Sequence, residues 1–159
     1  MTEYEQTAYQ DLLAWQHKVQ KKPSIANRLA KNLQTRMNNF IPEKVHKVIT
    51  VTIQKMVEGV LFGAKYTTPK PKTDASLQLR EAYVKERIEF YRKTASAEGA
   101  ITGAGGILLG LADFPILIGI KLKMLFEIAA LYGYDVKDYR ERVYILHIFQ
   151  LAFSSHEHR

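Results

Sequence analysis

The chain has 159 residues, enough for one domain whose core needs no covalent staples. It holds no cysteine, which excludes disulfides, thiolate metal centres and a cysteine nucleophile. Its net charge of +7 comes wholly from residues 1–98, with 17 Lys and Arg against 10 Asp and Glu, since residues 99–159 hold 6 of each; such an excess suits anionic headgroups, nucleic-acid phosphates or a solvated basic face.

The start, Met1-Thr2-Glu3-Tyr4-Glu5-Gln6, lacks the basic stretch and apolar run of a secretory leader, so a cytoplasmic location is expected. Tyr4, Ala8, Leu12, Trp15 and Val19 then recur at spacings of three and four, which predicts a first helix with one apolar stripe. Pro23-Ser24 ends it and restarts the chain, with Ser24 as N-cap of a second helix. There Ile25, Leu29, Leu33 and Met37 share a face, and the basic residues fall elsewhere. Lys18, Lys21, Lys22, Arg28, Lys31 and Arg36 are the expected contacts to an anionic surface.

Pro42 opens a third, longer helix, where its missing N–H does no harm. Val45, Val48, Ile49, Thr52, Ile53, Met56, Val57, Val60, Leu61 and Ala64 form a broad stripe read as core. Residues 1–64 are thus basic amphipathic helices, and 65–74, with Pro69, Pro71 and three lysines, are a stiff loop. A charged helix follows to about Ala97, with Leu77, Val84, Ile88 and Tyr91 turned inward.

From Gly99 to Ile120 the chain carries one charge, Asp113. Its length would cross a bilayer, but a straight span puts Asp113 and Pro115 in hydrocarbon, at about 3 kcal/mol for the charge. The reading favoured here is a helical hairpin broken at Asp113-Phe114-Pro115, buried or peripheral, with Asp113 as N-cap of its second arm. Gly99, Gly103, Gly106 and Gly110 have the spacing that lets helices approach closely. Lys123 and Glu127 are placed to pair across one turn. Gly133 is a helix stop, and Asp135 is set to cap a last helix from Val136 to about Phe153. That helix is apolar nearly all round and needs cover on most sides, with His147 and Gln150 read as a satisfied polar pair in a core. The fold class is therefore all-α: a single helical domain of about six or seven helices.

Glu98-Gly99-Ala100-x-Thr102-Gly103, the run Gly105 to Pro115, and Glu127-Ile128-Ala129-x-x-Tyr132-Gly133-Tyr134-Asp135 together resemble the EcsC family. The likeness is tightest from Glu98 to Asp135, makes residues 75–159 the signature region, and implies further helical sequence beyond Arg159. Glu98, Asp113, Pro115, Tyr132, Gly133 and Asp135 carry over as signature positions only. The resemblance implies an accessory role linked to a bacterial ABC transporter, with no established activity and no catalytic residues.

Chemistry is thinly supported. Glu43 and His46 have the Glu-x-x-His spacing of di-metal bundles, but no second such pair occurs, and no metal or cofactor is expected. Gly103-Ala104-Gly105-Gly106 lacks the strand and the Lys-Ser/Thr of a phosphate loop. The expectation is a membrane-associated helical accessory protein, peripheral at the inner face of the membrane. Its partners would be an anionic surface, a transporter or a second copy. Nucleic acid is disfavoured because no recognition motif accompanies the charge. The alternative is a hydrolase-type enzyme using Glu98 or Asp113, carboxylates bordering apolar runs, in a cleft beside the hairpin.

Overall fold

The computed structural model describes residues 1–20, 43–103 and 107–153. Their regular structure is all helical: α1 (Glu3–Gln20), α2 (Glu43–Thr67), α3 (Leu77–Gly103), α4 (Ile107–Leu131) and α5 (Tyr139–Phe153). The expected helix at residues 25–37 lies outside the described residues. Two compact units divide the chain, Met1–Glu43 with Ser154–Arg159, and Lys44–Phe153.

In the first unit α1 opens on a capping box. The Glu5 N–H donates to Thr2 Oγ1 at 3.2 Å, and the Thr2 N–H donates back to Glu5 Oε2 at 2.8 Å. Its predicted apolar stripe stays largely in solvent: α1 buries no side chain, and Trp15 is 60% exposed.

In the second unit the core lies where α2, α4 and α5 meet. Val57, Val60, Leu61 and Ala64 of α2 pack with Leu122, Leu125 and Phe126 of α4, Val136, and Ile145, Leu146 and Phe149 of α5. Leu122 and Phe126 are wholly buried. The expected α2 stripe was too broad: Val48 and Thr52 are exposed. Val48 lies about 160° round the helix from Ala64, so it cannot share Ala64's face. Ile88 is likewise exposed, on the flank of the α3 face that buries Val84 and Tyr91.

α3 and α4 run antiparallel, since Arg80 meets Tyr132 while Arg87 and Tyr91 meet Glu127. The chain does not break at Asp113-Phe114-Pro115, because α4 passes through all three with Pro115 inside it. The physical reason is local. A mid-helix proline forfeits one hydrogen bond and adds one clash, about 3 kcal/mol, and here Pro115 is buried in a long apolar helix that offsets the loss. Asp113 is therefore no N-cap of α4. Open space surrounds Gly99, where an added Cβ would meet nothing within 4 Å. The close approach comes instead at Gly119 of α4, whose added Cβ would lie 3.3 Å from Met56 Sδ on α2. The surroundings of Gly103, Gly106 and Gly110 lie outside what is described.

α4 stops as predicted. Gly133 has φ +98°, its N–H donates to the Ala130 carbonyl at 3.0 Å, and the Tyr134 N–H donates to Ala129 at 3.0 Å. That pair of bonds is a Schellman cap. Gly133→Ala should lower stability by about 1–2 kcal/mol through backbone strain alone, since the nearest atom to its Cβ, Arg80 Nη1, is at an ordinary 3.5 Å. Urea unfolding should rank Gly133→Asn between wild type and alanine; an alanine variant as stable as wild type would contradict the strain.

The last helix starts three residues later than Val136. Asp138, not Asp135, caps it, accepting the Arg140 N–H at 2.9 Å. Asp135 forms the turn before it, its Oδ1 accepting the Lys137 N–H at 2.9 Å. α5 turns Ile145 inward but leaves Tyr144, Ile148 and Leu151 exposed. His147 is not a core residue; it is exposed, with Nδ1 2.9 Å from the Val143 carbonyl oxygen. Gln150 is exposed as well. No helix among the described residues is long and apolar enough to cross a membrane.

Candidate functional site

Among the described residues one charged side chain is buried, Glu127, 7% exposed. It is buried because α4 is apolar on nearly every side, so an acid in its sixth turn has to find donors within the protein. α3 supplies them from one face: Arg87 and Tyr91, four residues apart, both reach across. Arg87 donates through Nε and Nη2 to Oε2, each at 2.7 Å, and the Tyr91 hydroxyl donates to Oε1 at 2.8 Å. The predicted partner is present too, with Lys123 Nζ 3.2 Å from Oε1. That ammonium also donates to the carbonyl of Thr67, the last residue of α2, at 2.7 Å. One carboxylate thus ties three helices.

The electrostatics follow from this geometry. Burial pushes the Glu127 carboxyl up, but the Tyr91, Arg87 and Lys123 donors outweigh it and hold the pKa below its ordinary 4.5. Burial and the neighbouring carboxylate push the Tyr91 phenol up to about 12. An acid fixed as its anion and a phenol fixed as neutral are poor proton-exchange groups near pH 7. The arrangement is a clamp.

A second polar knot lies at the 68–76 connection. Arg80, near the start of α3, donates to the carbonyls of Thr73 at 2.7 Å, Ala75 at 2.8 Å and Tyr132 at 2.9 Å. The Lys72 N–H donates to the Ala130 carbonyl at 2.8 Å, and its ammonium sits 3.9 Å from the Tyr83 ring centroid. The signature positions Tyr132 and Gly133 are therefore the end of α4 that this loop grips. Asp135 follows in the next turn, and Pro115 lies buried within α4.

The two carboxylates proposed for catalysis are not brought to a described site. Glu98 lies on α3 and Asp113 on α4, and both side chains fall outside what is described. Of the expected anionic-surface residues, Lys18 is exposed in the last turn of α1. Lys21, Lys22, Arg28, Lys31 and Arg36 lie outside the described residues. Among the described residues no group of three or more His, Asp or Glu could hold a metal ion.

A surface that sequence reasoning missed runs along α2. Phe62 and Tyr66 are 66% and 70% exposed, with ring centroids 5.7 Å apart. Lys65 lies over both, 4.8 and 4.7 Å from their centroids. Val48 and Val51 continue the same side, and Lys47 and Lys55 are exposed beside them. The signal was the interleaving of Lys47, Lys55 and Lys65 with the two aromatics. It was hidden because the expected stripe counted Val48 as core and assigned Val51, Phe62 and Tyr66 to no face.

The family model described as the EcsC protein family matches residues 6–159. Among similar proteins, Protein EcsC of Bacillus subtilis (strain 168) is 46% identical over 155 residues, covering 97% of this chain and 66% of the relative. The Uncharacterized protein YdbA of the same organism is 29% identical over 136 residues, covering 73% of this chain and 50% of the relative. The chain thus spans between half and about two thirds of the length of these relatives. No solved structure matches.

Proposed function

This chain belongs to the EcsC protein family, and we propose that it is a helical accessory protein that works by contact at a membrane surface rather than by catalysing a reaction. The observation that carries this reading is the exposure of Trp15, Phe62 and Tyr66 beside lysines in a chain of net charge +7. Large amphipathic rings flanked by cations suit the boundary between headgroups and acyl chains. The Glu127 clamp supports a contact role, because its carboxylate is fully engaged in holding helices together.

In this reading the protein is peripheral on the cytoplasmic face, beside a membrane transporter of the ABC class. The spacing of Gly99, Gly103, Gly106 and Gly110 suits close packing against a transporter helix or a second copy. Cell fractionation tests the reading: the protein should sediment with membranes at about 0.1 M salt and be released at about 1 M, where the screening length falls from about 10 to about 3 Å. Recovery in the supernatant at low salt would refute membrane association.

A further inference from the structure

We infer that the outer side of α2 is the surface that meets the bilayer, and that its ligand is the anionic headgroup region of a phospholipid membrane; this rests on the membrane reading above. At 3.6 residues per turn Val48, Val51, Lys55, Phe62 and Tyr66 fall within about 60° of arc, on the opposite side from Val60 and Ala64. Val48, Val51, Phe62 and Tyr66 are between 48% and 70% exposed, and an added Cβ at Gly59 would meet no atom within 4 Å.

The exposed stripe is about 27 Å long and lies along one continuous helix, a shape that rests flat on a surface rather than entering a cleft. Its charge is complementary to an anionic layer. Lys47 and Lys65 flank one edge and Lys55 sits in the middle, with Lys70 exposed in the following loop. Glu58 is the one acid on this arc, hydrogen-bonded by Gln54 at 3.4 Å. Lysines of this kind lay their carbon stems on apolar surface and send the ammonium outward. Off the membrane, Lys65 instead rests its ammonium over the rings of Phe62 and Tyr66. On a membrane the two rings would enter the headgroup layer while the ammonium moves to a phosphate. Duplex nucleic acid has phosphates but no apolar layer, so it leaves the four apolar side chains unused.

The test is sedimentation of the full chain with vesicles of neutral phosphatidylcholine alone or mixed with anionic phosphatidylglycerol. Wild type should bind the mixed vesicles in a salt-dependent way. The pair Lys55→Gln/Lys65→Gln should weaken binding about 30-fold, and Phe62→Ala/Tyr66→Ala about tenfold or more. Ile88→Ala/Lys85→Gln, an exposed pair on α3 away from this stripe, should bind as wild type. Circular dichroism checks that each variant is folded. Depth has its own readout. Trp15 is the chain's one tryptophan, so a Trp15→Phe/Phe62→Trp variant carries a single probe on α2 that brominated lipids should quench. Wild-type binding that the α2 variants leave intact, without quenching at position 62, overturns the α2 assignment while sparing the membrane reading. Failure of wild type to bind either vesicle, or binding to duplex DNA alone, overturns both.

Discussion

Replacing Glu127 by alanine is expected to lower the free energy of unfolding by about 3 kcal/mol, because it strands an arginine, a lysine and a tyrosine that all aim at one buried carboxylate. Arg87 is about one third exposed and can turn to water, which keeps the loss at the low end for a broken buried pair. Glu127→Gln retains an acceptor oxygen and should lose about 2 kcal/mol, and Tyr91→Phe about 1 kcal/mol. Urea denaturation at pH 7 gives the ranking. The effect has a defined pH window. The folded carboxyl titrates below the ordinary 4.5 of the unfolded chain, so the ionised clamp stabilises fully above that value, and its contribution is lost as pH falls through the lower folded value. The gap between wild type and Glu127→Gln should therefore shrink below pH 4.5. A gap constant from pH 7 to pH 3 would mean that the charge contributes nothing.

Phe126→Ala should cost more, about 4 kcal/mol, because its side chain is wholly buried where α2, α4 and α5 meet. The ring fills the space among Ala64, Val136 and Ile145, and its neighbours are held by three separate helices and a turn. They cannot all collapse into the cavity at once. For a chain of this size the loss corresponds to a fall in Tm of roughly 12 °C. Phe62→Ala supplies the contrast. It deletes the same ring from a site 66% exposed and should change stability by no more than about 0.5 kcal/mol. Equal losses at the two positions would refute the assignment of core and surface.

What was legible in the sequence was local. The Lys123–Glu127 pair follows from a four-residue spacing, and the Gly133 stop from a backbone conformation that glycine accepts most readily. The other half of the clamp was not legible. Arg87 and Tyr91 reach Glu127 from 40 and 36 residues away, and only the register of two antiparallel helices brings them there. Arg80 was missed for a related reason: it binds main-chain oxygens, which leave no mark on the identity of the residues that carry them. Asp113-Phe114-Pro115 misled in the opposite way. Aspartate two residues before proline fits a helix start, yet the same three residues sit inside α4, since packing outweighed the local signal. The α2 stripe was too wide at Val48 because that residue is apolar, and a count of apolar residues cannot separate those that face protein from those left in solvent.

The grip of Arg80 bears on how such a chain can diverge. Its guanidinium recognises three carbonyls, and carbonyls belong to every amino acid, so the sequence at Thr73, Ala75 and Tyr132 can drift without loosening the joint. The burden of constancy moves onto two positions: the arginine, whose planar fork lysine cannot imitate, and Gly133, whose backbone holds the Tyr132 carbonyl at the right angle. Invariance at such a pair across relatives would record the geometry of a seam, and would be misread if taken as the mark of a reaction.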